Sequence, residues 1–316
     1  KKILFQDYRE ILTLTKKNNL DILDEEDWKN LWLNNPFFSE LERKWIVGWK
    51  AQHKNKIVGV TLNIPFIFWY GGKKYLAAVC NNYVVDREHR NCSLNLRYHF
   101  LNQEKVDLYI TNSANEASEK IMEAFKAKKI TQYDYQNRLI YLINKKKIFL
   151  KALKTLSFNL DFIKLIKNIR NFLVTNQKIS EKKFSFELIE KFDEDFKDLD
   201  SKILNYETIF SSKNLNWLNW KYSKYIKMKN LVIIKIFQEK KFIGFISLIS
   251  NLEKRYKLKR LSIVEVTLLK DDSEVLESAL NYCIELGKER KFDLIDTVGF
   301  SRKKRIIFEK IGFIKK

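Results

Sequence analysis

A chain of 316 residues with 45% hydrophobic and 14% aromatic side chains holds enough apolar material for about two domain cores, which excludes an intrinsically disordered protein. No apolar run reaches the ~20 residues of a membrane-spanning helix, and three cysteines (Cys80, Cys92 and Cys283) are too few, and odd in number, for a disulfide framework. Sixty Lys and Arg against 39 Asp and Glu give a formal charge of +21, which points to an anionic partner; the abundance of Lys, Asn, Ile and Phe throughout equally fits an AT-rich coding bias that leaves most lysines as solvated surface.

In chain order, a first helix carries Trp28 and Leu31-Trp32 on one face, with Asp24 as its N-cap. Between Ile46 and Ile64, two apolar strands flank the polar turn His53-Lys54-Asn55 and predict a hairpin. A strand over Tyr75–Val85, a helix over Ser93–Gln103, a short strand over Val106–Ile110 and a further helix follow. Residues 141–182 contain no glycine or proline, and Phe162, Leu165-Ile166, Ile169 and Leu173 recur there at helical spacing among Lys164, Lys167 and Arg170. That stretch reads as a helical linker packed on a domain, with docking on an anionic membrane or an acidic acyl-carrier protein as the alternative. The second half repeats the order: a hairpin turning at Gln238-Glu239-Lys240, a strand over Leu261–Leu269, a helix over Glu274–Lys288, a strand over Phe292–Asp296 and a last helix.

The two halves align on each other. Trp32 falls on Trp217 and Gly59 on Gly244 without a gap, and the segment from Lys105 aligns with that from Lys291 after one residue of slippage. The expected fold class is therefore α/β (α+β, mixed sheet): two tandem domains over residues 1–140 and 183–316, joined by the helical linker 141–182.

The most informative segment runs from Ala77 to Leu94. An apolar strand ends at Val84-Val85, a charged turn Asp86-Arg87-Glu88-His89-Arg90 follows, and a helix begins with Asn91 or Ser93 available as its cap. Unpaired N–H groups at such a helix start, with Arg87 and Arg90 beside them, make a cradle for a pyrophosphate. Strand, Val85-x-x-x-x-Arg90, tight turn and helix together resemble the acyl-CoA signature of the GNAT superfamily of acyltransferases, whose loop reads Gln/Arg-x-x-Gly-x-Gly/Ala. Arg90 matches its first position, and Ser93 and Asn95 stand where the glycines do. The wider context from Glu88 to Leu94 resembles divergent tandem GNAT proteins associated with bacterial surface-polysaccharide clusters.

The resemblance implies that acetyl-CoA or another acyl-CoA is the co-substrate. It would be held by Val84, Val85, Arg87, His89, Arg90, Asn91, Cys92, Ser93 and Leu94, with Asn112 and Asn115 at the pantetheine arm. Backbone N–H groups near Tyr83 to Val85 would meet the thioester oxygen. Met122 stands where the family has a tyrosine acid; in the second copy Phe308 stands there, and Gly312-Phe313 matches the family's ending. The second copy has Asp271-Asp272-Ser273-Glu274 in place of the cradle, and an acidic loop repels pyrophosphate. That copy is expected to bind substrate or to scaffold a cleft between the copies.

Acyl transfer from a thioester needs a base for the acceptor. The resemblance puts a carboxylate on the central strand, and Glu265 is the candidate, with Asp296 and Glu88 behind it; pairing with nearby Lys or Arg is the competing role for Glu265. Cys80 is a covalent candidate or a buried inert thiol, and His89 a base or a phosphate contact. No metal is expected, because the histidines His53, His89 and His99 make no ligand spacing with the cysteines. The expected function is an acyltransferase moving an acyl group, acetyl in the first instance, to an amine or hydroxyl of a saccharide, amino-acid-like or other small-molecule acceptor. Two alternatives stand beside it: a Fem-type aminoacyl transferase using charged tRNA, and a non-catalytic degenerate pair. The absence of aromatic–basic interleaving ranks nucleic acid lower as a partner. The expected location is the cytoplasm, with a peripheral variant at the inner membrane face.

Overall fold

In a computed structural model, which describes residues 1–42, 44–111, 114–130, 137–155, 183–203, 208–253 and 257–316, turn chemistry builds the first sheet from Gly48 to Val85. Strand β1 (Gly48–His53) turns into β2 (Lys56–Tyr70) through Lys54 and Asn55, at φ 46° and 61°. Strand β3 (Lys73–Val85) follows through Gly71 and Gly72, at φ 56° and 75°. Two central residues with positive φ are the hairpin turn whose twist matches that of the strands it joins. Strand β4 (Leu108–Thr111) pairs parallel to β3. The remaining described strands are β5 (Leu139–Leu142), β6 (Ser185–Ile189), β7 (Phe210–Ser211), β8 (Leu231–Gln238), β9 (Lys241–Glu253), β10 (Leu258–Leu268), β11 (Leu294–Thr297) and β12 (Ile314–Lys315).

The chain divides into two units. The first comprises Lys1–Lys129 with Phe196–Ser201 and Tyr206–Lys221; the second comprises Ile130–Asp195, Lys202–Asn205 and Tyr222–Lys316. In the first, the sheet order is β1-β2-β3-β4, with β7 against β2. Alternation along β2 and β3 feeds two cores, one on each face. Val60, Leu62, Ile64 and Val84 pack with the fully buried Trp28 and Trp32, whose rings lie 5.1 Å apart. Ala78 and Cys80 pack with Leu96 and Phe100 of the helix Ser93–Leu101. The Trp helix spans Glu25–Leu33, and the Asp24 carboxylate accepts the Asp27 N–H at 2.8 Å as the N-cap that the sequence predicts.

The second unit holds a sheet of order β12-β5-β11-β10-β9-β8-β6, with β10 and β11 parallel. The helix Ser273–Glu289 buries Val275, Leu276, Ala279, Leu280, Cys283 and Ile284 against it. Gly312 ends the helix Arg302–Ile311 at φ 115°, a left-handed conformation that favours glycine. Both sheets are mixed and helix-covered, the α/β class that the element order predicts.

The division is interleaved where the sequence predicts contiguous segments with breaks at 140 and 183. Strand β5, on the first break, lies between β11 and β12 and is antiparallel to both. Residues Phe196–Ser201 and Tyr206–Lys221 join the first unit for a physical reason. The Asp200 carboxylate accepts from the Ser212 hydroxyl, the Lys213 N–H and the Asn214 amide, and Trp217 packs on Phe37 and Phe66 at 4.7 and 4.6 Å between ring centres. The helix Lys145–Thr155 forms within the expected linker; Phe162, Lys164, Leu165, Ile166, Lys167, Ile169, Arg170 and Leu173 lie outside the described residues. Among the described residues, no helix is long and apolar enough to cross a membrane.

Candidate functional site

Among the described residues, β3 and β4 pair in parallel from Ala77/Leu108 to Cys80/Thr111. Beyond Cys80, β3 continues to Val85 with no described partner strand on that edge. Opposite Thr61 of β2 it holds two residues, Asn82 and Tyr83, so the register slips there in a β-bulge. Asn82 sits at φ 47°, a conformation that asparagine tolerates better than most residues. The backbone of β3 from Tyr83 to Val85 lines a cleft on the protein surface.

A cleft of about 470 Å³ opens there, walled by Tyr83, Val84 and Val85 of β3. Arg87, Arg90, Ser93 and Leu94 continue its lining from the following turn and helix, and Asn115, Ser118 and Ile121 add a second helix, Glu116–Ala124. The side chains of Asn18 and Leu20 close it from the end of the helix Tyr8–Lys17. Asp86 at the head of the turn pairs with Lys17 at 2.5 Å, and that hydrogen bond holds its carboxyl below the usual carboxylate range. Arg87 and Arg90 are exposed and, among the described residues, enter no ion pair. Asn115 caps its helix through its Oδ1, which accepts the Ser118 N–H at 3.0 Å, leaving its Nδ2 available to the cleft.

The Tyr83 hydroxyl donates to the Ser93 carbonyl at 3.2 Å, and burial raises its pKa. Behind the ring lies Arg97, 1% exposed, with its guanidinium carbon 3.7 Å from the ring centre and Nη1 donating to the Cys80 thiol at 3.0 Å.

No protein-family model matches this sequence, and no curated protein sequence does. Among solved structures, it is similar to a probable N-acyltransferase from Enterococcus faecalis, with a TM-score of 0.58 and 12% identity over 94% of this chain and 64% of that one. A GCN5-related N-acetyltransferase from Anabaena variabilis gives the same values, so the chain spans under two thirds of the length of either. An N-myristoyltransferase of Saccharomyces cerevisiae, in a structure with bound myristoyl-CoA and inhibitors, matches with a TM-score of 0.50 and 12% identity over 99% of this chain and 76% of that one. The fold is that of the GCN5-related N-acetyltransferases.

Within this GNAT fold, the cleft gathers eight residues singled out from sequence: Tyr83, Val84, Val85, Arg87, Arg90, Ser93, Leu94 and Asn115. Others lie elsewhere. His89 turns its ring onto His53, at 4.8 Å between centres, and the exposed Asn91 is not among the lining residues. Cys92 faces a separate cleft of about 420 Å³ with Trp49 and His99, and burial raises its thiol pKa. Cys80 is buried behind the wall, and Asn112 lies outside the described residues. The expected cap is also different. A 3-10 turn over Arg87–Cys92 runs directly into the helix, and the Ser93 N–H donates to the Arg90 carbonyl, so neither Asn91 nor Ser93 acts as a side-chain cap. At the start of that turn the Asp86 N–H donates to the Val58 carbonyl at 2.8 Å and the His89 N–H to the Asp86 carbonyl at 2.9 Å.

Glu265 belongs to the second unit, on β10 just past the end of the β10–β11 pairing. It is buried and accepts from the Tyr222 hydroxyl at 3.1 Å and the Thr267 hydroxyl at 3.4 Å. Burial first, then the Glu265 charge, pushes the Tyr222 phenol well above its ordinary pKa. Asp296 takes the Ser262 hydroxyl at 2.6 Å and pairs with Arg138 and Arg260 at 3.4 and 3.6 Å, whereas Glu88 is exposed. Here Lys304 reaches the Val266 carbonyl at 3.1 Å, and desolvation lowers its pKa. Asp272 satisfies its own helix start, accepting the N–H groups of Glu274 and Val275 at 2.8 and 3.2 Å. Among the described residues, no group of three or more His, Cys, Asp or Glu side chains converges to hold a metal.

Sequence reasoning missed Ser118 and Arg97. The Asn-x-x-Ser spacing of a capping box signals Ser118. Arg97 carries no such signal, because polar and apolar residues mix around its helix and give it no inward direction.

Proposed function

We propose that the first unit binds an acyl-CoA in the cleft at the end of β3 and transfers its acyl group to an amine or hydroxyl of a saccharide, amino-acid-like or other small-molecule acceptor. The observation that carries this reading is the cleft along Tyr83 to Val85 at the end of β3, with Arg87 and Arg90 in its lining. An extended edge takes an amide-bearing arm by strand-like hydrogen bonds. Arg87 and Arg90 supply the charge that a pyrophosphate needs, and the Asn115 amide is free to bond the arm. The backbone N–H groups of Tyr83 to Val85 would stabilise the oxyanion as the thioester carbonyl is attacked. The tandem architecture is proposed on the repeat and on the shared pattern of two hairpins and one parallel pair in each sheet. In the second unit, the Lys304 contact and the Asp272 cap oppose CoA binding, which supports one donor site per chain.

Among the described residues, the cleft lining contains no carboxylate. Isothermal titration with CoA at 50 and 300 mM salt tests the donor site. Binding weakened about tenfold by Arg90→Ala, with a shallower salt dependence, is expected for loss of one phosphate contact. Absence of binding, or an unaffected Arg90→Ala, refutes the assignment.

A further inference from the structure

Arg97 is a buried cation whose described partners include no carboxylate. Its guanidinium is permanently charged, yet Nε has no hydrogen-bond partner, and its contacts are the Cys80 thiol at 3.0 Å and the Tyr83 ring face at 3.7 Å. Charges taken out of water are ordinarily paired, so the ring face does much of the compensating here. Tyr83 lines the cleft, Arg97 does not, and Cys80 lies behind the wall, paired in register with Thr111 of β4. At Tyr83 the cleft wall is thus an aromatic residue with a desolvated charge behind its ring.

We infer that the Tyr83–Arg97 pair is the acyl-length gate of the site, restricting the donor to acyl groups of a few carbons. The inference rests on the acyl-CoA reading above. An alkyl chain longer than that would have to pass the ring. Displacing Tyr83 would take from Arg97 the ring that lies 3.7 Å from its guanidinium, leaving the Cys80 thiol and the Phe100 ring at 6.0 Å, and would set methylenes against a buried charge. The hydroxyl of Tyr83, bonded to the Ser93 carbonyl, ties the ring to the helix that carries Arg97 and opposes that displacement. A two-carbon acyl group makes no such demand.

Titration calorimetry of the full chain with CoA, acetyl-CoA and octanoyl-CoA tests the gate without any acceptor. Each methylene buried from water is worth about fourfold in affinity, so an unobstructed apolar channel would favour octanoyl-CoA over acetyl-CoA on the order of a thousandfold. The gate predicts a preference below about tenfold in the wild type. It further predicts that Arg97→Met, which keeps the volume and removes the charge, raises the octanoyl-to-acetyl ratio at least tenfold. Tyr83→Ala should raise it as well, and serves if Arg97→Met does not fold. A wild-type preference above tenfold, or a ratio that neither variant changes, overturns the gate while leaving the donor site standing. Failure of all three ligands to bind overturns the gate and the donor site together.

Discussion

Gly59 and Gly244 face their neighbouring strands at matching places, and the structure ranks what a methyl group would do at each. A Cβ on Gly59 would lie 3.0 Å from Leu96 Cδ1, 3.1 Å from Cys92 Sγ and 3.4 Å from Val85 Cγ2. These are side-chain atoms that yield by a few tenths of an ångström. A Cβ on Gly244 would lie 2.5 Å from the Thr267 carbonyl oxygen and 3.0 Å from Leu268 Cα, which are backbone and cannot yield without moving β10. Overpacking costs about 1–3 kcal/mol, and replacing a strand glycine by alanine returns about 0.5–1 kcal/mol of that. Gly59→Ala should therefore destabilise by about 0.5 kcal/mol and Gly244→Ala by about 2 kcal/mol. All seven tryptophans lie in the first unit. Urea unfolding followed by tryptophan fluorescence thus reports Gly59→Ala, and far-UV circular dichroism reports both. Because Leu96 and Cys92 sit at the junction of turn and helix, Gly59→Ala should also weaken CoA binding, whereas Gly244→Ala should not. Gly244→Ala proving no more destabilising than Gly59→Ala would refute the reasoning.

Asp200→Ala leaves the Ser212 hydroxyl, the Lys213 N–H and the Asn214 amide without their buried acceptor, and should cost about 3 kcal/mol; a red shift in tryptophan emission as Trp217 loosens is the readout. Asn115→Ala should lose about 1 kcal/mol with its cap and also lose CoA affinity, whereas Asn115→Ser should keep the cap and lose affinity alone, separating the two roles of that side chain. Tyr222→Phe should cost about 1–2 kcal/mol at neutral pH through its bond to Glu265. Because the folded Tyr222 pKa lies above the ordinary value of 10.0, its contribution is full below pH 10 and falls as pH rises towards the folded value. Chemical denaturation between pH 9 and 11 should show that decline in the wild type and a flatter profile in Tyr222→Phe.

Much of the local structure was legible because it is set by local chemistry. Asp24 before the Trp28/Trp32 helix, the Lys54-Asn55 turn and the strand-to-turn switch after Val85 each announce themselves within a few residues. Eight cleft residues follow from one contiguous run and one capping asparagine. What escaped was long-range. Nothing within Leu139–Leu142 says that it pairs with β11 and β12, and nothing near Trp217 says that it packs on Phe37 and Phe66. Arg97 sits between Leu96 and Tyr98 on a helix whose polar and apolar residues are not segregated, so periodicity gave it no inward direction. The orientation of Cys92, His89 and Asn91 depends on a 3-10 turn before the helix, which brings every third residue, Arg87, Arg90 and Ser93, to the cleft and leaves those three out of its lining.

The central claim is that the cleft at the end of β3 receives an acyl-CoA, and a crystal structure of the chain grown with CoA tests it most directly. The account predicts one CoA per chain, with its pantetheine along Tyr83 to Val85 and its pyrophosphate at Arg87 and Arg90. CoA found at any other place in the chain, or crystals that remain free of it at saturating concentration, would contradict the account.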